Sequence, residues 1–313
     1  MGYHPRIENS ALASFLTTRS RNSELWFVNN PILERVILGY LAKYSTRYGA
    51  KLYAFAIEGN HNQGVSKFPN CNRADFMRDL NSSVARAVPR FTEEYTGRRF
   101  WGRRYSQEFV PGNEDIEARF FYTVLQPVQD GLVSKISDYP GYNCFHDAIY
   151  GIERKFKVVN WQKYNAAKKK NPLISIKFFE EVVMLKYERL PGYDHLSVKD
   201  YAELMKRKLE VHRQRIINER KARGLTGFLG KAALLGTKRG SLPNKTKTST
   251  INSHRPRVLS VCPIRRQNCL AWYFSKYFAY RKASKEYRSG NLDAQFPPGM
   301  YLPMLRFRIV TSP

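Results

Sequence analysis

The sequence predicts an α+β fold, because extended and helical segments follow a recognisable order in its first half. Residues 11–19 are apolar and rich in β-branched side chains, which predicts a first strand. Apolar residues then recur at helical spacing over 31–48, and a glycine follows them. Alternating residues at 52–68 predict two strands joined by a turn, and Asn72 can cap a second helix. With a further strand over 98–110, this order predicts an antiparallel sheet of the ferredoxin-like or RRM-like plait.

The second strand of the pair places two side chains that can bind a metal on one face. The strand begins at His61, and its period of two puts Gln63 and Val65 on the same side as that histidine. Residues 58–60 include a glycine and predict the turn before it. A histidine beside a glutamine on a strand is most often an ordinary polar pair. The pattern alone therefore leaves both a metal site and a structural role open.

A third helical stretch, residues 114–133, carries a tyrosine and a glutamine on one face. Tyr122 and Gln126 are four residues apart, so they lie one turn from each other. Pro127 is expected to bend or end the helix near this point. We expect the helix to be an addition to the plait and to pack across the sheet near His61. Tyr122 also has apolar neighbours, so a core aromatic is the alternative to a reactive phenol.

The charge balance predicts a polyanionic partner. The chain has 53 Lys and Arg against 26 Asp and Glu, for a net charge of +27. Nucleic acid is the first expectation, because neutralisation of phosphates dominates its binding, and an acidic membrane surface is the competitor. No run approaches the roughly 18 apolar residues of a spanning helix, and we expect an intracellular, soluble protein. The four Cys form no metal-binding spacing and are expected to be reduced.

Several arginines are candidate DNA contacts. Arg73 lies off the apolar stripe of the second helix, where a solvated surface position is the alternative. Arg99, Arg103 and Arg104 alternate with aromatic residues in the run at 98–110. Interleaved basic and aromatic side chains suit a surface that follows a nucleic-acid backbone and stacks on its bases. A basic edge strand explains the same pattern.

The composition changes after about residue 150 and predicts a basic, mostly helical C-terminal extension. We divide the chain into a first domain over 1–150 and a basic helical extension over 151–223. Residues 224–257 are rich in Gly, Thr and Lys, and they predict a flexible basic linker. A small aromatic and helical segment follows over 258–313.

The ordered motifs resemble those of a known family. The chain is similar to the single-tyrosine His-x-His transposases, in particular those of small insertion sequences and the relatives associated with repetitive extragenic palindromes. The family's His-x-His motif corresponds to residues 59–63, and its tyrosine helix corresponds to the stretch from Tyr122 through Gln126, Pro127 and Gly131. The Asp-Tyr-Pro at 138–140 also fits the family pattern. The resemblance covers roughly residues 10–147.

The resemblance implies a DNA transposase that cleaves and rejoins single-stranded DNA beside a hairpin through a 5′-phosphotyrosine. It implies Tyr122 as the nucleophile, and His61, Gln63 and Gln126 as ligands of a divalent metal, Mg²⁺ or Mn²⁺. Tyrosine suits this reaction, because its phosphodiester conserves the energy of the broken bond for rejoining. The resemblance also implies a bacterial cytoplasmic protein and raises a homodimer as an expectation.

One position departs from the family pattern, because Gln63 stands where the second histidine is expected. An amide oxygen is a hard donor that suits Mg²⁺ and Mn²⁺, but it replaces a better nitrogen ligand. We expect weaker metal binding, with Mn²⁺ favoured over Mg²⁺. The departure motivates an alternative, a non-catalytic protein that binds single-stranded or hairpin DNA. Binding of single-stranded RNA is a third, weaker option.

Overall fold

The computed structural model describes residues 5–243 and 257–303, and its first part is built on a four-stranded antiparallel sheet. The sheet strands are β1 (Ala13–Arg19), β2 (Lys51–Glu58), β3 (His61–Lys67) and β4 (Ser106–Val110), in the order β2-β3-β1-β4. Helix α1 (Pro31–Tyr48) joins β1 to β2, and helix α2 (Arg73–Phe91) joins β3 to β4. The mixed α+β class predicted from the sequence is therefore confirmed.

Local sequence signals set the bounds of α1. The Asn30 side chain caps the helix by accepting a hydrogen bond of 3.0 Å from the backbone N–H of Leu33. Pro31 occupies the first turn, where the missing N–H has no helical partner to lose. Gly49 ends the helix at a φ of 61°, a left-handed conformation that glycine adopts without steric cost.

The strand predicted over 98–110 is shorter than expected. Only its last five residues form β4, and Trp101 makes a single bridge to Ser20. Phe100 turns inward instead and packs its ring against Phe27 and Trp101, at 5.7 and 4.5 Å between centroids. Packing of these aromatic rings therefore interrupts the strand, and the arginines that flank them are left on an irregular surface segment.

The register of the sheet decides which side chains share a face. His61 lies opposite Glu58 of β2 and Arg19 of β1. Two residues further on, Gln63 lies opposite Ala56 and Thr17. Directly opposed residues of antiparallel strands point to the same side. These six side chains therefore form one continuous patch at the end of the sheet near the β2–β3 turn.

Helices cover both sides of the sheet. On the side away from His61, Arg73 at the start of α2 reaches the Ser14 hydroxyl. On the His61 side, helix α3 (Asn113–Val124) packs against β2 and β3. The helix breaks at Leu125, and a short helix α4 (Gln126–Gln129) follows, as Pro127 predicts. The tyrosine-bearing helix thus packs on the face of the sheet that carries His61, and its position next to that histidine stays a prediction.

The remaining chain packs around this sheet. Its elements are α5 (Phe145–Tyr150), β5 (Arg154–Val159), α6 (Trp161–Lys170), β6 (Glu180–Leu185), α7 (Val198–Ala222), α8 (Lys231–Leu235) and α9 (Pro263–Arg288). Strands β5 and β6 pair with each other and pack on α1, and α7 packs on α4 and α5. Tyr273 of α9 packs with Phe109 in a second, smaller apolar cluster. In the parts of the chain that the structure describes, no helix is long and apolar enough to cross a membrane.

The segment predicted as a flexible linker, 224–257, lies partly outside the described residues. Its described part contains α8 and returns to the first domain, where Leu229 donates its N–H to the Gly131 carbonyl at 3.0 Å. Further along, the Leu25 N–H donates to the Ser241 carbonyl at 2.9 Å. These bonds hold residues 225–241 against the sheet domain. All four Cys are free thiols, as expected from the sequence.

Candidate active site on the sheet

His61 is buried at the β2–β3 turn, with its ring orientation fixed by a neighbour. The side chain is only 5% exposed. Its Nδ1 lies 2.8 Å from the Asn60 side-chain oxygen, and Asn60 in turn donates from Nδ2 to the Ser23 carbonyl at 3.0 Å. This arrangement fixes the imidazole in one orientation at the edge of the patch, as metal-binding histidines require.

Both glutamines predicted as site residues are buried with unused hydrogen-bonding capacity. Gln126 donates from Nε2 to the Asp130 carboxylate at 2.9 Å, while its Oε1 is buried and has no hydrogen-bond partner among the described residues. Gln63 is also buried, and within the same described ranges its Nε2 has no partner. Buried polar atoms of this kind cost free energy unless something else satisfies them. Both are therefore candidates to contact a group that binds at this patch.

Glu58 is a buried carboxyl of this patch that sequence reasoning missed. It is the cross-strand partner of His61 and is only 3% exposed. Burial, and then the nearby Asp130 carboxylate, raise the pKa of Glu58 to about 8. In the described parts of the chain, its Oε1 atom has no hydrogen-bond partner. Sequence reasoning placed Glu58 in the turn at 58–60, and only the strand register pairs it with His61.

Tyr122 lies on the same face of the sheet as His61 and Gln63. Its ring meets the Phe15 ring edge-to-face with 5.6 Å between centroids, and Phe15 points to this face in the β1–β3 register. The Arg119 guanidinium lies 5.0 Å from the centre of the tyrosine ring. Burial lowers the pKa of Arg119, and the neighbouring Tyr122 and Glu108 oppose that shift. The half-buried phenol thus has an apolar support on one side and a cation beside it.

The donor set is compatible with a divalent metal if amide oxygens take part. No group of three or more His, Cys, Asp or Glu that could hold a metal occurs in residues 5–243 and 257–303. A site here must therefore draw on Gln63 and Gln126 beside the His61 imidazole. Amide oxygens are suitable ligands for hard cations, and Gln126 Oε1 is a buried acceptor with no other partner in the described chain. Gln126 therefore offers an oxygen ligand, whereas the unpartnered atom of Gln63 is its amide nitrogen, so Gln63 would ligate a metal only through its other amide atom, Oε1.

The four arginines predicted as DNA contacts separate into two groups. Arg73 is 1% exposed, lies 3.3 Å from the Glu8 carboxylate and donates to the Ile7 carbonyl at 3.0 Å. Its guanidinium therefore serves the packing of the N-terminal segment and does not reach the surface, which replaces the interpretation of Arg73 as a DNA contact. Arg99, Arg103 and Arg104 are exposed on the segment before β4.

Comparison with known proteins finds distant structural likeness and no family. Neither a protein-family model nor a curated protein matches this sequence. Among solved structures, a REP-associated tyrosine transposase bound to a REP hairpin aligns with 56% of this chain and 90% of its own length. The two sequences are 16% identical over that alignment, and the TM-score is 0.40. Similarity at this level does not assign the chain to a family.

Proposed function

We propose that this protein is a transposase-type enzyme that cleaves and rejoins single-stranded DNA through a 5′-phosphotyrosine. One observation carries the proposal. Tyr122 lies on the same sheet face as His61 and Gln63, on helix α3, and Gln126 begins the short helix α4 that follows the break at Leu125. We interpret the four-stranded sheet as the plait of such enzymes, with α3 as the added helix that delivers the nucleophile.

Tyr122 carries the covalent step in this proposal. Its phenolic oxygen attacks the phosphorus of the cleaved phosphodiester, loses its proton and forms a new P–O bond. The bond from phosphorus to the 3′-oxygen breaks, and that oxygen leaves as a hydroxyl once it has taken up a proton. Attack by a 3′-hydroxyl on the phosphotyrosine reverses the step and rejoins a strand without ATP. The Arg119 guanidinium supplies positive charge beside the phenol as its proton departs.

The metal in this proposal is held by His61, Gln63 and Gln126. Bound there, Mn²⁺ or Mg²⁺ supplies Lewis-acid polarisation of a phosphoryl oxygen. The Asn60 side chain keeps the imidazole in place, and Asp130 holds the Gln126 amide through its Nε2. These positioning contacts are set before any ligand binds, so they cost no reorganisation during the reaction.

Arg99, Arg103 and Arg104 form the proposed DNA surface next to this site. They are exposed, and the segment that carries them is bridged to the end of β1 through Trp101 and Ser20. Phosphate contacts of this kind position a strand without reading its sequence. We further propose that the bound DNA contains a hairpin beside the cleaved strand and that the enzyme acts as a homodimer.

A covalent protein–DNA adduct tests this function. Labelled single-stranded substrates with hairpins, taken from DNA that flanks the gene, are incubated with protein and Mn²⁺ and analysed on denaturing gels. We expect a shifted band that chelator abolishes and that Tyr122→Phe does not form. Tyr164→Phe is the matched control, because Tyr164 lies on α6, apart from the patch, and it should form the adduct normally. An adduct that persists in Tyr122→Phe would reject Tyr122 as the nucleophile.

A second candidate function is a non-catalytic protein that binds single-stranded or hairpin DNA. Gln63 favours it, because an amide replaces the second imidazole expected at this position. The same gel assay separates the two functions. Salt-dependent binding to these substrates, with no adduct in Mn²⁺ or Mg²⁺, would support the binding protein. An adduct that appears only after Gln63→His would show that the departure disabled an enzyme.

A further inference from the structure

A basic pocket of about 180 Å³ lies between the loop that follows β1 and the segment that precedes β4. Its lining includes the arginines Arg21, Arg98 and Arg99, the carboxylate of Glu24, and the aromatic rings of Trp26 and Tyr95. This volume is below the roughly 300 Å³ at which pockets for cofactors and drug-sized ligands begin. The pocket therefore suits a smaller unit, with an anionic part for the guanidinium groups and a planar part for the rings.

The floor of the pocket is rigid. The Trp26 and Tyr95 rings meet edge-to-face with 5.0 Å between centroids, and the indole N–H of Trp26 donates to Glu24 at 2.7 Å. From the other side, Gly240 lies so close to the indole that a Cβ there would come within 2.5 Å of it. This contact and the Glu24 bond fix the orientation of the carboxylate. A carboxylate has about four acceptor sites, so Glu24 can accept further hydrogen bonds from a ligand.

Asn60 connects this pocket directly to His61. Its backbone carbonyl accepts the Ser20 N–H at 2.9 Å, and its side chain donates to the Ser23 carbonyl at 3.0 Å. The same side chain contacts Nδ1 of His61 at 2.8 Å. The loop that carries Arg21 and Glu24 is thus attached to the residue that orients the imidazole.

We propose that this pocket binds one nucleotide of the single-stranded substrate, next to the cleaved phosphate. The inference rests on the proposed function and specifies part of its substrate recognition. Arg21, Arg98 and Arg99 bind the nucleotide's phosphate, and the planar base enters against the ring edges. The Glu24 carboxylate accepts a hydrogen bond from an exocyclic amino group on the base. Cytosine offers such a donor where thymine offers an acceptor, so the pocket favours cytosine over thymine.

The test measures binding without chemistry. Fluorescence anisotropy with Tyr122→Phe protein in chelator follows a labelled single strand in which one position after another is made abasic. We expect a single position where the abasic site weakens binding about tenfold, the scale of one lost stacking or charged contact. At that position cytosine should bind about fivefold more tightly than thymine. Glu24→Gln in the same background should remove this preference, and Arg99→Ala should reduce the abasic effect.

Arg103→Ala is the matched control, because Arg103 is exposed on the same segment but does not line the pocket. It should weaken binding equally for every oligonucleotide and flatten the salt dependence. An abasic scan without a sensitive position, or a cytosine preference that survives Glu24→Gln, would overturn the nucleotide pocket. The adduct assay separates this failure from that of the proposed function, because a chain that forms the adduct but shows no sensitive position fails only the present inference.

Discussion

Two buried carboxyl groups of the sheet domain have opposite surroundings. Glu8 lies 3.3 Å from the Arg73 guanidinium and accepts the Ala74 N–H at 3.1 Å. Glu58 is equally buried, but Asp130 repels its charge while Arg19 only partly offsets that, and its Oε1 has no hydrogen-bond partner in the described chain. The first group is fully compensated within the fold. The second is costly to the fold as it stands.

The difference distinguishes a structural charge from a functional one. A buried ion that the fold compensates stabilises one packing arrangement and needs no ligand. Buried groups with unused capacity persist only where something else maintains them, and such groups concentrate at binding and catalytic sites. Glu58 and Gln63 share this property on one face of the sheet, while Thr18 and Asn62 carry such atoms on the other face. Unused capacity alone therefore does not locate a site, and Glu58 is of interest because it is the cross-strand partner of His61.

The largest effect on the free energy of unfolding is expected when the buried ion pair between Glu8 and Arg73 is broken. Arg73→Ala leaves Glu8 buried without its cation, and loss of one partner of a buried ion pair costs about 3–5 kcal/mol. Denaturant unfolding measures the free energy of unfolding. Arg78→Ala is the control, because Arg78 is exposed on the same helix and its ion pairs with Asp75 and Asp79 are worth at most about 1 kcal/mol. Equal losses for both variants would show that Arg73 is not the buried structural charge described above.

Substitution of Glu58 is expected to raise the free energy of unfolding instead of lowering it. Its pKa in the folded state, about 8, lies above the ordinary value of 4.5, so the folded protein keeps this proton after the unfolded chain has lost it. Stability is therefore full below pH 4.5 and falls as pH rises toward 8. Glu58→Gln removes that loss and should raise the free energy of unfolding by about 3 kcal/mol at pH 7 in chelator, with little gain at pH 4.5.

Glu8→Gln is the matched control for this prediction, because it removes a carboxylate that Arg73 compensates. We expect it to lower stability at pH 7. A Glu58→Gln variant that is destabilised at neutral pH would show that the native state uses the ionised carboxylate, which would contradict the contrast between the two groups.

Metal binding should depend on Gln126, whose side-chain oxygen has no partner in the described chain, and not on its neighbour in the same short helix. Gln126→Leu removes a buried oxygen acceptor, and we expect the affinity for Mn²⁺ to fall about tenfold, the equivalent of roughly 1.5 kcal/mol for a contact to a charged group. Electron paramagnetic resonance of free Mn²⁺ measures this affinity without DNA or catalysis. Gln129→Leu changes an exposed residue on the same short helix and should leave the affinity unchanged. Equal affinities for the two variants would remove Gln126 from the ligand set.

The sequence predicted the elements well, because period and capping are local signals. The turn at Gly59 and Asn60 and the break before Pro127 lie where these residues require them. Long-range contacts were beyond that reasoning. Arg73 lies off the apolar stripe of its helix and so resembled a surface residue, but the N-terminal segment, 66 positions away in sequence, covers it. Glu58 was interpreted as part of a turn, and only the strand register pairs it with His61.

The smallest effect is expected from Gln63→His, which introduces the second histidine of the His-x-His pattern. Gln63→His places an imidazole at a buried position opposite Ala56 and Thr17. Nitrogen is a better donor than an amide oxygen for Mn²⁺, so we expect the affinity for this metal to rise severalfold, less than the loss from Gln126→Leu. The same resonance measurement applies, with Gln129→His as the control. An increase would show that position 63 contacts the metal, and that the natural glutamine weakens the site without abolishing it. No change in affinity would exclude Gln63 as a ligand, and the metal would then depend on His61 and Gln126, with Glu58 and Glu108 as buried carboxyl groups on this face.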